Sequence, residues 1–225
     1  MFKRTPLLYA ALKGHAAIVE LLLMTGGVDP NSNDTQGQMP MSLAAAYGHE
    51  TVIKLLLAKN GVILDPENYK GRTPLCCSAQ NGHEEVVRLL LASKGVDSDS
   101  MDNSGWTLLS LAAQLGRKGV VKLLLASGHV NPNSKNYLGR TPLSLAAQNG
   151  HVAVVKLLLA TAEVDPDPRD SDGRAPLSRA AHDGHEAVVK LLLAHERVNK
   201  YSVDNYGNEA FLWQRGKDTR QLLGY

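Results

Sequence analysis

The sequence predicts an all-α repeat solenoid, and three periodic features predict it. A Thr-Pro anchor or its equivalent falls at Thr5-Pro6, Met39-Pro40, Thr73-Pro74, Thr107-Leu108, Thr141-Pro142 and Ala175-Pro176, 34 residues apart each time and without a gap. A glycine keeps the same phase at Gly14, Gly48, Gly82, Gly116, Gly150 and Gly184. A Leu-Leu-Leu run follows at 21–23, 55–57, 89–91, 123–125, 157–159 and 191–193, so six full units are in register. A fixed period of this length is the signature of stacked supersecondary units.

Each element of the unit follows from its own residues. Thr141 is suited to cap a helix with its hydroxyl, and Pro142 occupies the first helical position, where a missing N–H costs nothing. The first helix then runs through Leu143-Ser144-Leu145-Ala146-Ala147 and closes at Gly150, the residue type that best takes the left-handed conformation. A second helix follows, with Val154, Val155, Leu157, Leu158 and Leu159 on a broad apolar stripe and Lys156 pointing outward. The polar stretch Val164-Asp165-Pro166-Asp167 leads into Asp170 and Gly173, which take the first and fourth positions of a β-turn and form a hairpin between units.

Helix, turn, helix and hairpin at this period, with the segment Gly139-Arg140-Thr141-Pro142-Leu143-Ser144-Leu145-Ala146-Ala147-Gln148-Asn149-Gly150-His151, closely resembles the ankyrin repeat over nearly the whole chain. The usual ankyrin period is roughly 33, so one extra residue per unit is expected in the polar loop before the hairpin. The Val-Asp-Pro style of that loop is similar to the near-identical 34-residue ankyrin arrays of large fungal proteins. The resemblance implies one ankyrin-repeat domain over 1–225, with units at approximately 1–33, 34–67, 68–101, 102–135, 136–169 and 170–203 and a shortened unit at 204–225. In that last unit Glu209-Ala210 replaces Thr-Pro, and Phe211, Trp213, Leu222 and Leu223 alternate with Gln214, Arg215, Lys217, Asp218 and Arg220, as in a capping half-unit. The first unit has no comparable device and is expected to present Phe2, Leu7, Leu8 and Tyr9, so an upstream chain or self-association is expected to cover it.

Composition narrows the function classes. Twenty-four basic and 22 acidic residues leave a net charge of +2, so no global field draws the chain to nucleic acid or to an anionic membrane. The apolar runs are far shorter than the roughly 18 residues of a membrane helix, and the N-terminus enters the repeat pattern at once, with no region of signal-peptide length. A cytoplasmic or nuclear location is expected, not secretion, and the sequon Asn33-Asp34-Thr35 is expected to stay unmodified. The only cysteines, Cys76 and Cys77, are adjacent and close no stabilising loop.

No grouping of residues supports catalysis. His15, His49, His83, His151 and His185 recur one per unit, which places them on successive units where the four ligands of a zinc ion do not converge. The resemblance implies a structural role for them at the start of the second helix; Arg117-Lys118-Gly119 stands there in the fourth unit, where local weakness is expected. Cys76 and Cys77 take the places of Ser144 and Leu145 and read as small buried hydrophobes. Phosphate-loop, zinc-protease and nucleophile-elbow motifs are absent from the sequence. No enzyme, cofactor or metal is therefore expected. Glu50 with Lys54, Glu84 with Arg88 and Glu186 with Lys190 read as helix-surface pairs worth about 0.2 to 0.5 kcal/mol each.

The resemblance implies binding through hairpin tips and the concave face of the first helices. The positions that vary there while the frame stays constant are the candidate partner site: Tyr69, Lys70 and Arg72; Asn103, Ser104 and Trp106; Tyr137, Leu138 and Arg140; Asp172 and Arg174; and Tyr206. The frame is expected to make no demand on these side chains. Trp106 lies between Arg72 and Arg140 in equivalent positions, as a hot-spot centre or as a rung of a cation–π ladder. A second row, Ala46-Tyr47, Gln80-Asn81, Gln114-Leu115, Gln148-Asn149 and His182-Asp183, is expected to line the concave wall. The expected function is a protein-interaction module or adaptor with a protein or peptide partner, and neither nucleic acid nor membrane; the alternative is a spacer array, for which exposed Tyr69, Trp106, Tyr137, Leu138 and Tyr206 would be costly.

Overall fold

The computed structural model describes residues 3–207. The capping half-unit expected at 209–223, and Phe2 at the other end, lie outside the described residues. Twelve helices and an isolated antiparallel bridge between Met101 and Thr107 make up the regular structure of the described residues. Contacts group the chain into two compact units, one running to Leu111 and including Gly119–Val130, the other formed by Ala112–Lys118 and the chain from Asn131.

The first unit holds α1 (Pro6–Lys13), α2 (Ala16–Met24), α3 (Pro40–Ala46), α4 (Glu50–Ala58), α5 (Pro74–Asn81) and α6 (Glu84–Leu91). The helices α1, α3 and α5 pack side by side as one layer, and α2, α4 and α6 form the second, each pair closing against its own partner. The second unit repeats the arrangement: α9 (Pro142–Gln148) packs on α11 (Pro176–His182), and α10 (Val152–Leu159) on α12 (Glu186–Ala194). The remaining pair, α7 (Leu108–Gln114) and α8 (Lys118–Ser127), is divided between the units at Leu111 and Gly119.

The caps form as the residues dictate. Thr5, Thr73, Thr107 and Thr141 accept from the backbone N–H three residues on at 3.2 to 3.3 Å, whereas Met39 and Ala175, which carry no side-chain oxygen, provide no such bond. Paired alanines at 44–45, 146–147 and 180–181 are buried and admit the close approach of first helices. In each Leu-Leu-Leu run after the first, only the middle leucine is fully enclosed (Leu56, Leu90, Leu124, Leu158 and Leu192), because a helix turns about 100° per residue and its neighbours fall toward the rim.

Two expectations are corrected. Leu7 and Leu8 are not presented at the N-terminal face: both are buried, since α1 packs on α2 and α3. The open residues there are Tyr9, Ile18, Leu21 and Met24; Ile18 is 49% exposed where its equivalent Val52 is 0%. Of the helix-surface ion pairs, Glu186 with Lys190 forms at 2.6 Å, but Arg88 turns to Glu85 at 3.3 Å. The Glu84 carboxylate lies instead against Gly119, where any Cβ would collide with it. The start of α8 keeps the backbone closure of the other units, with Arg117 N–H on the Ala112 carbonyl and Lys118 N–H on that of Gly116, both at 2.8 Å.

Candidate functional site

The hairpins are built on an Asx turn. Asp34, Asn68, Asp102, Asn136 and Asp170 are buried, and the Oδ1 of each accepts from the N–H groups two and four residues on, at 2.9 to 3.1 Å. A side chain thus supplies the bonds that a second strand would otherwise supply. The next residues already cap the following helix, so the hairpins stay turns.

Neighbouring tips are joined by backbone bonds. In the first unit Tyr69 N–H donates to the Gln36 carbonyl at 3.3 Å and Asn103 N–H to the Lys70 carbonyl at 3.0 Å. In the second, Ser171 N–H donates to Leu138 at 3.1 Å and Asn205 N–H to Asp172 at 2.9 Å. Asn103 Nδ2 adds a bond to the Tyr69 carbonyl, and Asn205 Nδ2 one to Ser171, both at 3.1 Å. The side chains of these tips therefore stand on a zipped ribbon and are preorganised.

The frame does make demands on several of the candidate residues. Arg72 Nε donates to Asp102 Oδ2 at 3.0 Å and its Nη1 to Gln80 Oε1 at 2.8 Å, which ties a hairpin to the next turn and to its own first helix. Arg4 with Asp34 at 3.0 Å and Arg174 with Asp204 at 3.3 Å repeat the first of these bonds. Arg72 is therefore committed to Asp102 and Gln80 and not to a cation–π rung on Trp106. Trp106 itself is half-buried, its N–H held by Asp102 Oδ1 at 3.0 Å. Asn103, through Nδ2, is likewise a frame residue.

The candidates that remain open are Tyr69, Lys70 and Ser104 in the first unit, and Tyr137, Leu138 and Tyr206 in the second, whereas Asp172 is tied to Arg179 Nη2 at 2.8 Å. Tyr69, Tyr137 and Tyr206 are 68%, 75% and 70% exposed. A groove of about 320 Å³ runs beside Tyr69, between the hairpins and the first helices of the first unit. Tyr47, Lys70, Arg72, Gln36 and Gln80 contribute to its walls, and no carboxylate does. This groove is aromatic and basic around Tyr69 and Tyr47, and Trp106 is outside its lining. Of the concave row, Tyr47 stacks on His49 with centroids 6.2 Å apart, whereas Asn81 and Asn149 turn back to close their helices on Cys77 and Leu145.

The recurrent histidines bridge successive repeats. His49, His83, His151 and His185 donate from Nε2 to the carbonyls of Leu12, Ala46, Gln114 and Gln148 at 2.8 to 3.0 Å. A carbonyl only accepts, so the proton sits on Nε2. The ring lies against the linking glycine of the repeat before; a Cβ on Gly48 would come within 2.5 Å of His83 Nδ1. Cys76 and Cys77 are buried, and burial pushes their thiols up to about 12 and about 11, which withholds the nucleophilic thiolate at neutral pH. Among the described residues no three His, Cys, Asp or Glu side chains are placed to hold a metal ion, and no helix is long and apolar enough to cross a membrane.

One cluster escaped the sequence reading. Arg179 occupies the core position of Leu145 yet is buried, because its guanidinium reaches Asp170 and Asp172. An arginine breaking the apolar pattern nine residues after a turn aspartate was the available signal.

A family model described as ankyrin repeats (3 copies) matches residues 7–102, 60–136, 94–170 and 144–213. The crystal structure of the human ASB11 ankyrin repeat domain is similar to this chain with a TM-score of 0.81 and 26% identity, over 92% of this chain and 90% of that one. No curated protein matches the sequence.

Proposed function

The chain belongs to the ankyrin-repeat family, generally a family of protein-interaction modules, and on that premise we propose that it binds a protein or peptide partner through its hairpin tips and first-helix face. The observation that carries this reading is the exposure of Tyr69, Tyr137 and Tyr206 on zipped tips, with the Tyr69 ring resting on Gly37. Exposed tyrosine on a rigid support loses little entropy when a partner covers it, and tyrosine is enriched at interface hot spots. Lys70 and the groove beside Tyr69 add a basic wall with polar amides. Ser104, Trp106 and the paired Arg72 belong to the proposed surface of the first unit, and Leu138 with the paired Asp172 and Arg174 to that of the second. The buried thiols suit a reducing compartment, the cytoplasm or the nucleus.

The test compares affinity capture from cells by the wild-type chain, by Tyr69→Ala with Lys70→Ala, by Tyr137→Ala, and by Lys54→Ala on a second helix. A captured set lost from a hairpin variant and kept by Lys54→Ala supports the reading. The same set on every version, or none above background on any, refutes it.

A further inference from the structure

Arg140 holds the position that Arg4, Arg72 and Arg174 hold in their repeats, but its carboxylate is already taken. Asp170 Oδ1 accepts from the N–H groups of Asp172 and Arg174 at 3.0 and 2.9 Å. Its Oδ2 accepts from Arg179 Nε at 2.8 Å and from Arg179 Nη2. Those four bonds fill the acceptor capacity of a carboxylate. Arg140 Nε is left 4.0 Å from Asp170 Oδ2, and its guanidinium makes no hydrogen bond to any described residue. The difference traces to one residue: nine positions after the turn residue stand Leu43, Cys77, Leu111 and Leu145 in the other repeats, and Arg179 here.

We propose that Arg140 is the receptor for a carboxylate of the partner, an Asp or Glu side chain flanked by apolar residues that cover Tyr137 and Leu138. This deepens the partner-binding reading and rests on it. Arg140 is 21% exposed although Nε is buried, so its exposure lies outside Nε and a carboxylate would meet the two terminal nitrogens end-on. A half-buried guanidinium with unmet donors gains more from an incoming anion than one already paired. The charge required is a single one. Among the described residues of these hairpins Arg174 is paired with Asp204, and Arg179 with Asp170 and Asp172, so neither stands ready beside Arg140 for a phosphate dianion. Tyr137 and Leu138, at 75% and 52% exposure, supply the apolar collar that dries such a contact.

The probe is a displayed library of random peptides, selected on the full chain. Peptides recovered on the wild type are expected to carry Asp or Glu at a constant place and to bind at least about tenfold more weakly to Arg140→Gln. Arg179→Leu is the second arm, because it restores the apolar core residue and frees Asp170 to pair with Arg140 as Asp102 pairs with Arg72. The same weakening is expected there, with no fall in melting temperature. Recovered peptides without an acidic position, or binding undiminished in either variant, would overturn the carboxylate site and leave peptide binding itself standing. Recovery of no binding peptide would overturn both.

Discussion

Arg72 of one repeat reaches the turn carboxylate of the next, Nε to Oδ2 of Asp102 at 3.0 Å, and the chain keeps account of this bond in its sequence. Thirty residues separate the partners, and every arginine in this place is followed by an aspartate: Arg4 by Asp34, Arg72 by Asp102, Arg140 by Asp170, Arg174 by Asp204. Where Gln38 and Trp106 stand instead, the turn residue is Asn68 or Asn136. The turn needs only Oδ1, which both residue types supply. The charge on Oδ2 appears only where a guanidinium is provided for it.

Asp102→Asn isolates that second oxygen, since Asn keeps the acceptor for Ser104 and Trp106 N–H and drops only the charge. A loss of about 1 to 2 kcal/mol is expected from the urea midpoint, the range of a charge-assisted bond with one largely buried partner. Arg72→Gln with Asp102→Asn should cost clearly less than the sum of the single changes, and the coupling should shrink in high salt. Strict additivity would mean that the pair contributes nothing.

The frame was legible because period, cap and left-handed glycine are local properties that each repeat states again. Thr141, Pro142 and Gly150 announce their roles without reference to the rest of the chain. The commitments of Arg72 and Asn103 were not legible, because Arg72 depends on the carboxylate that the next hairpin brings within 3.0 Å and Asn103 on the Tyr69 carbonyl that the hairpin before brings within 3.1 Å. The groove beside Tyr69 was not legible for the same reason. Trp106 is the conspicuous residue in the sequence, but its backbone sits at the base of the turn, where the ring is half-buried, while Tyr69 stands at the tip. The N-terminal face was misread because Leu7 and Leu8 precede Ile18 and Leu21 in the chain but not in exposure.

The contact of His83 with Gly48 carries a second prediction. His83→Ala removes the bond to the Ala46 carbonyl and should cost about 1 to 3 kcal/mol. Gly48→Ala should cost at least about 1 kcal/mol, because φ is +74° and the new Cβ meets the imidazole. With His83→Ala in place the collision is gone and only the backbone strain remains, so the double variant should be more stable than the sum implies. Chemical denaturation of the four proteins measures this, and full additivity would place the ring elsewhere.

Asp65 gives the pH dependence. Burial raises its carboxyl above the usual value, with the charges of Asp97 and Glu67 adding to the effect and the Asp97 N–H and Thr73 hydroxyl opposing it. The folded state therefore holds this proton more tightly than the unfolded chain does. That contribution to stability is full below the ordinary carboxylate value near 3.8 and is lost as pH rises through the folded value, so at neutral pH the ionised group is a liability. Asp65→Asn should raise the melting temperature at pH 7 by about 1 to 3 °C, and the gain should vanish below the ordinary carboxylate value. A gain independent of pH would remove ionisation as the cause.

The pairing of arginine with aspartate yields a constructive test at Gln38, a place in the first unit that lacks it. Gln38 lies 34 residues before Arg72, with Oε1 buried and without a hydrogen-bond partner, and Asn68 lies 34 before Asp102. Asn68→Asp alone puts an unpaired charge on a buried oxygen and should destabilise. Gln38→Arg alone gains no anion and should change little. Together they reproduce the bond of Arg72 with Asp102 and should exceed the sum of the single effects by about 1 to 2 kcal/mol, because a buried carboxylate is costly only until a guanidinium meets it. The thermodynamic cycle from urea melts decides it. A double variant no better than the sum would mean that the alternation of Asp and Asn along the turns does not answer to the arginines, and that the order in the sequence has another origin.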